Sequence, residues 1–122
     1  MSQKIPIALS YDDILLVPQN SRIKSRSEVN LTTKITPRVT LKLPLISINM
    51  SDVTEIDMAI ALGKLGALGF LHRFVSTEKQ ADMVSKVKKH RVLVGAAVGI
   101  RNGTIKRADA LVNAGVDILT ID

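Results

Sequence analysis

The stretch VLVGAAVGIRNGTIKRADALVNAGVDILTID, residues 92–122, decides the fold class. It opens with an apolar run at 92–96 and closes with another at 118–121, and both runs are typical of strands buried on two faces. Between them, Asn102-Gly103-Thr104 is typical of a helix start, and Ala114-Gly115 of a helix end. A strand, a helix and a strand in this order predict a βαβ unit with parallel strands.

Earlier in the chain the same unit is repeated. Apolar runs at 45–48 and 68–71 predict two further strands, each followed by apolar residues at helical spacing. The predicted strands start at residues 45, 68, 92 and 118, at a near-constant interval of one strand and one helix. A doubly wound sheet and a (βα)8 barrel share this local pattern. A full barrel needs about 250 residues, so we predict an α/β fold that is the N-terminal half of a (βα)8 TIM barrel.

Short polar side chains precede each predicted helix and are expected to cap it: Asp52 or Thr54, Ser76 or Thr77, and Asn102. Gln80 follows Thr77 by three residues, which is the spacing of a capping box. Glycines or basic residues follow the helices, as expected at helix ends.

Residues 1–44 have a different character, with prolines, many Ser, Thr and Asn residues, and short apolar pieces such as 14–17. We predict an N-terminal arm with short strands that packs against the bottom or side of the barrel. Residues 45–122 then form the first four strands and three helices. We expect this chain to be the N-terminal part of a larger protein, and the remaining barrel strands to lie outside it.

Composition limits the classes of function. Seventeen Lys and Arg against 11 Asp and Glu give a formal net charge of +6, which suits phosphate-bearing partners. The only aromatic residues are Tyr11, Phe70 and Phe74, too few to form the stacking surface of a single-strand binder, so nucleic-acid binding is not expected. No cysteine is present, which excludes disulfides and thiol nucleophiles within these residues. Two isolated histidines, His72 and His90, predict no metal site.

The sequence contains no stretch typical of a targeting signal. No apolar run is long enough to cross a bilayer, and the first residues lack the apolar core of a secretory signal. We therefore expect a soluble, cytoplasmic protein that does not bind membranes.

Functional side chains of (βα)8 barrels gather at the carboxyl ends of the strands. The residues at these ends are Ser47, Asn49, Met50, His72, Arg73, Arg101 and Asp122.

Each candidate has a structural alternative. Met50 could fill the core, His72 could be a buried histidine with its hydrogen bonds satisfied, and the arginines could be solvated loop charges. Asp122 stands out because a carboxylate at the end of a buried strand costs free energy unless donors surround it. The glycines Gly95 and Gly99 form G-x-x-x-G, which is not the dinucleotide-binding fingerprint, although Asp117 follows at about the distance of a ribose-binding acid.

Five motifs resemble those of the IMP dehydrogenase/GMP reductase family, over nearly the whole chain. They are LSYDDILLVP at 9–18, VNLTT at 29–33, PLISINM at 44–50 followed by VTE at 53–55, VGAAVG at 94–99, and AGVD at 114–117. The resemblance implies a (βα)8 barrel that binds a purine nucleoside monophosphate and a nicotinamide dinucleotide. Ser51 departs from the pattern, because an aspartate is common there.

The resemblance also implies residue roles. Met50 is expected to pack on the purine, with Ser47 and Asn49 beside it. Asp122 is expected to bind ribose hydroxyls of the dinucleotide, with His72 and Arg73 on the cofactor side. No catalytic residue is expected here, because the family's cysteine loop and flap lie beyond the fourth strand.

Larger features follow from the same resemblance. It implies a homotetramer, and it allows a monovalent cation held by residues outside this chain. Many dehydrogenases of the family carry a pair of regulatory CBS modules after the second barrel helix, but here the sequence continues directly from His90-Arg91 into the next apolar run.

Two classes of function therefore remain open. The first is an enzyme: an IMP dehydrogenase that oxidises IMP to XMP with NAD, or a GMP reductase that converts GMP to IMP with NADPH, of which these 122 residues are a portion without activity of their own. The second is a non-catalytic half-barrel used for binding or assembly.

Overall fold

The computed structural model describes residues 7–122. Its strands and helices, in chain order, are β1 Thr33–Lys34, β2 Thr40–Leu41, β3 Ile46–Ser47, α1 Ile56–Lys64, β4 Leu68–Leu71, α2 Thr77–Lys88, β5 Gly95–Val98, α3 Thr104–Asn113 and β6 Ile118–Ile121. Two single 3-10 turns, Tyr11–Asp13 and Arg26–Glu28, precede β1.

The four later strands form one parallel sheet in the order β3-β4-β5-β6. Helix α2 packs against both α1 and α3, so the three crossover helices form one layer. The predicted α/β class with a parallel sheet is confirmed. Strand order follows chain order throughout the described residues, as in a barrel, whereas a doubly wound sheet reverses its order at a switch point.

Apolar side chains fill both sides of this sheet. On one side, α1, α2 and α3 cover the strands, and the buried cluster consists of Ala59, Leu71, Met83, Val84, Val87, Val94, Ala96, Val98 and Leu111. On the other side, Val39 and Leu41 of the β1-β2 hairpin pack against Leu68, with Phe70 and Ile118 at the margin. The hairpin thus covers the sheet where its strands begin and leaves their carboxyl ends free.

The predicted bounds of the second and fourth strands of this sheet, 68–71 and 118–121, match β4 and β6. The third prediction was wrong by three residues, because β5 begins at Gly95 and not at Val92. Side chains occupy the backbone groups just before it: Lys88 Nζ donates to the Val92 carbonyl at 3.2 Å. The Val94 N–H likewise donates to the Asp117 carboxylate, so the ladder starts one residue later.

Helix caps were predicted in part. Ser76 caps α2 by accepting the Lys79 N–H at 3.2 Å. The caps predicted at Asp52, Thr54 and Asn102 were wrong. Helix α1 begins after Glu55, and α3 begins after Gly103, whose φ of 90° suits glycine.

Thr54 and Gln80 are instead buried. Thr54 hydrogen-bonds the Ser47 hydroxyl and the Ile48 carbonyl, and so closes the loop after β3. Gln80 forms no capping box; its amide donates to the Ala97 carbonyl at 2.9 Å. A polar side chain buried under the sheet is thereby satisfied by the strand that covers it.

Residues 7–32 run along the outside, and Tyr11, Leu15 and Leu16 are more than nine-tenths exposed. Residues 1–6 of the predicted arm lie outside the described residues. The division into an arm at 1–44 and a barrel portion at 45–122 stays a prediction, as does closure of the sheet into a barrel.

Candidate functional site

The carboxyl ends of β3, β4, β5 and β6 lie side by side, because the strands are parallel and adjacent. The predicted site residues follow these ends. Ser47, Asn49 and Met50 come from β3, His72 and Arg73 from β4, and Asp122 from β6. Ligands of parallel α/β sheets bind at this edge.

Arg73 and Asp122 meet directly. The guanidinium Nε donates to Asp122 Oδ2 at 2.8 Å, across the intervening strand β5 and above Gly99. The side chains are 36% and 37% exposed, so the pair is open to solvent on one side. Asp122 Oδ1 has no hydrogen-bond partner among residues 7–122. The charge expected to be costly is therefore compensated by Arg73.

His72 is 2% exposed and both of its ring nitrogens are engaged. Nδ1 accepts the Phe74 N–H at 3.2 Å, which makes Nε2 the protonated nitrogen that donates to Glu55 Oε1 at 2.8 Å. This geometry agrees with the structural alternative, a buried histidine with satisfied hydrogen bonds. The bond to Glu55 also joins the end of β4 to the residue before α1, so His72 fixes these two segments relative to each other.

The three residues predicted to bind substrate lie on the loop after β3. The Met50 carbonyl accepts the N–H groups of Val53 and Thr54 at 3.0 and 2.8 Å, so the loop turns tightly at this point. The Met50 side chain is half exposed and projects from the turn, whereas Ser47 and Asn49 are partly buried. Within residues 7–122 Met50 is not packed in the core, and its role towards a purine stays a prediction.

A cavity of about 560 Å³ opens beside the Arg73–Asp122 pair, above the start of α3. Its walls include Arg101, Arg107 and Thr77, but none of the three residues from β3. Arg101 was among the sequence candidates. Arg107 was missed, because it lies inside a predicted helix and reaches the cavity only through the packing of α3 on α2.

Asp117 does not belong to this edge. It precedes β6, at the opposite end of the sheet. Lys88 Nζ donates to Asp117 Oδ1 at 3.0 Å and to Asp117 Oδ2 at 2.8 Å. Its Oδ2 also accepts the Val94 N–H at 2.8 Å. Asp117 thus links α2 to the starts of β5 and β6, and it lies away from the edge at which a ribose-binding acid is expected.

Glu78 lies on the first turn of α2, and hydrogen bonds and nearby charges shift the pKa of its carboxyl. Its own backbone N–H, and then the Ser76 hydroxyl, lower the pKa of this carboxyl, with the charges of Lys106 and Arg107 adding to the effect. At the far end of the chain, the Ser10 N–H and hydroxyl lower the pKa of Asp13.

Residues 7–122 contain no group of three His, Asp or Glu side chains that could hold a metal ion. None of the helices in that range has the length and apolar character needed to cross a membrane.

Comparison with known proteins gives consistent results. The sequence model described as IMP dehydrogenase / GMP reductase domain matches residues 8–122. The chain is 47% identical to an inosine-5'-monophosphate dehydrogenase of Nitrosopumilus maritimus over 81 residues, covering 66% of this chain and 17% of that protein. It is 44% identical to a GMP reductase of Leishmania donovani over 85 residues, covering 70% of this chain and 17% of that protein.

A third relative aligns over almost the whole chain. It is an inosine-5'-monophosphate dehydrogenase of Cryptosporidium parvum, 34% identical over 164 aligned residues, covering 99% of this chain and 40% of that protein. The alignment is longer than the 122 residues of this chain, so that relative has extra residues within the matched span. The chain spans between about a sixth and two-fifths of the length of these relatives. Because the family model covers nearly every residue, the chain belongs to the IMP dehydrogenase/GMP reductase family of oxidoreductases.

Proposed function

We propose that the whole protein oxidises IMP to XMP with NAD as hydride acceptor, and that this chain supplies part of both binding sites. The observation that carries the proposal is the Arg73–Asp122 pair at the carboxyl edge of a parallel sheet, in a chain of this family. The motifs VTE at 53–55 and GAAVG at 95–99 resemble the dehydrogenase more than the reductase.

The residues present fit a dinucleotide at this edge. Within residues 7–122, Asp122 Oδ1 accepts no hydrogen bond, and it lies beside a cavity of about 560 Å³; ribose hydroxyls are good donors to such an oxygen. Bound NAD supplies a nicotinamide ring that accepts the hydride. Asp122 binds and orients the ribose, and Arg73 orients Asp122. On the same side, His72 fixes the end of β4 to the start of α1 through Glu55.

The purine monophosphate belongs on the neighbouring loop. Met50 is half exposed on a tight turn and offers a polarisable thioether to a flat ring, worth about 1 kcal/mol. Ser47 lies partly buried at the base of the same loop, held by Thr54 at 2.8 Å. We infer that Ser47, Asn49 and Met50 form one side of the nucleotide site, with the remaining sides contributed by the rest of the barrel.

GMP reductase is the second candidate reaction. It is favoured by the 44% identity to the Leishmania donovani GMP reductase, and by the direct continuation of α2 into β5 without an inserted module. The purine and dinucleotide sites described above serve either reaction, with NADPH replacing NAD.

We infer that the four-stranded sheet is the first half of a (βα)8 barrel. Its sequential strand order and single helix layer support this, and the second half then supplies the chemistry. Residues 1–122 contain no cysteine, so they have no thiol to attack the purine ring. We therefore predict that these residues alone form no NADH from IMP and NAD; turnover above background by a purified fragment would contradict this.

A homotetramer in the cytoplasm is the assembly we infer from the family resemblance. The exposed apolar side chains along residues 7–32, such as Tyr11, Leu15 and Leu16, offer a surface for such an assembly. Light scattering on the full-length protein measures the assembly state directly.

The reaction is tested with the full-length protein that contains this chain. Two mixtures, IMP with NAD and GMP with NADPH, are compared by the absorbance of the reduced nicotinamide. Formation of NADH from IMP supports the proposal, and consumption of NADPH with GMP alone supports the reductase. Turnover of neither pair would overturn both reactions.

A further inference from the structure

The cavity above α3 has an excess of positive charge that the proposed ribose contact does not use. Three arginines line it, Arg73, Arg101 and Arg107, and Asp122 is the one carboxylate among the lining residues. The lining thus has a formal charge of +2. An anionic ligand group is the natural complement of such a cavity.

The guanidinium of Arg107 is oriented by hydrogen bonds to uncharged acceptors. Its terminal nitrogens donate to Gln80 Oε1 at 2.7 Å and to the Val75 carbonyl at 3.0 Å. Gln80 is fully buried and is itself fixed by the Ala97 carbonyl. Because these acceptors carry no charge, they orient the guanidinium without neutralising it. Three of its five N–H donors have no acceptor within residues 7–122.

Arg101 completes the cationic wall from the loop after β5. Its side chain is exposed, and neither Arg101 nor Arg107 takes part in an ion pair within residues 7–122. By contrast, the charge of Arg73 is matched by Asp122 at 2.8 Å. Within the described residues, Arg101 and Arg107 therefore form no salt bridge, although the charge of Arg107 contributes to the lowered pKa of Glu78. Both lie next to a carboxylate suited to hydroxyl groups.

We propose that Arg101 and Arg107 form a phosphate subsite, and that it binds a phosphate group of the dinucleotide whose ribose contacts Asp122. This inference rests on the proposed function for the identity of the ligand. A dinucleotide carries phosphate and hydroxyl groups on one ribose, which matches a cavity with guanidinium groups beside a carboxylate. The phosphate has two sources: the diphosphate bridge, shared by NAD and NADPH, or the 2'-phosphate, present in NADPH alone.

Inorganic pyrophosphate is the probe for the subsite, because its binding does not depend on turnover. Calorimetric titration of the full-length protein is compared with Arg101→Gln and Arg107→Gln, and with the control Lys106→Gln, an exposed cation of α3 outside the cavity lining. We expect each cavity variant to bind pyrophosphate about tenfold more weakly, since one charge-assisted contact is lost. The control should bind as the wild type does.

Steady-state kinetics of Arg101→Gln then separates the two sources. An equal rise in KM for both dinucleotides assigns the subsite to the diphosphate, and a rise for NADPH alone assigns it to the 2'-phosphate. Because Arg101 is exposed, its substitution leaves folding intact, whereas Arg107 also holds Gln80. Unchanged pyrophosphate affinity in both cavity variants would overturn the subsite. Arg101-dependent pyrophosphate binding without turnover of either substrate pair would keep the subsite and refute the proposed reaction.

Discussion

Replacing Asp122 with alanine in the full-length protein should weaken dinucleotide binding far more than it weakens the fold. The proposed contact is a hydrogen bond from ribose hydroxyls to a carboxylate oxygen, and bonds to a charged group contribute about 1.5–3 kcal/mol. One tenfold change in affinity corresponds to about 1.4 kcal/mol. The KM for the dinucleotide should therefore rise by about 10- to 100-fold, with little change in the KM for the nucleoside monophosphate.

The structural cost of the same substitution is small. Asp122 contacts Arg73 at 2.8 Å, but both side chains are more than a third exposed, so solvent screens the pair. Pairs of this kind contribute about 0.2–1 kcal/mol. The melting temperature should hence fall by only a few degrees at most, and Asp122→Asn, which keeps an acceptor oxygen, should raise the dinucleotide KM less than alanine does.

The assay varies each substrate in turn and records a melting curve for every variant. Asp109→Ala is the control, because Asp109 is an exposed carboxylate of α3 that does not line the cavity. A clear loss of stability in Asp122→Ala with both KM values unchanged would refute the reasoning. Asp122 would then serve the fold alone, as the cap of a following helix.

Three other substitutions test separate parts of the structure. Met50→Ala should raise the KM for the nucleoside monophosphate severalfold without lowering the melting temperature, since its side chain is half exposed; the opposite result would make it a packing residue. Gly95→Ala should destabilise the protein by about 1–3 kcal/mol in urea unfolding, because an added Cβ overlaps the Phe70 ring. Asp117→Ala should cost about 2 kcal/mol, since Lys88 and a backbone N–H lose their acceptor, while both KM values stay unchanged.

The fold class could be predicted because it depends on repeated local signals. Apolar runs and helical spacing alternate at a regular interval, and the parallel sheet follows from that alternation. Element ends were less predictable where side chains from distant elements decide them. The start of β5 depends on Lys88 and Asp117, which hydrogen-bond the Val92 carbonyl and the Val94 N–H. No local pattern in the sequence around Val92 reveals these contacts.

The candidate site was predictable to the extent that it lies at strand ends. Arg73 and Asp122 were chosen for their positions after strands, and the structure brings them into contact. Arg107 was not predicted, because a basic residue inside an amphipathic helix normally indicates a solvated face. Its position at the cavity depends on Gln80, a polar residue whose burial is a consequence of tertiary packing and has no signature in the sequence.

Contacts between elements distant in sequence hold the carboxyl edge together, and this links its binding properties to the register of the sheet. Arg73 and Asp122 are 49 positions apart and bond across β5. That bond requires the pairing of Gly95 with both Phe70 and Ile118, because a shift of one residue turns every side chain of a strand to the other face. Substitutions that disturb the register, such as Gly95→Ala, should therefore reduce stability and dinucleotide affinity together. Asp122→Ala acts after the register is set and should reduce affinity almost alone.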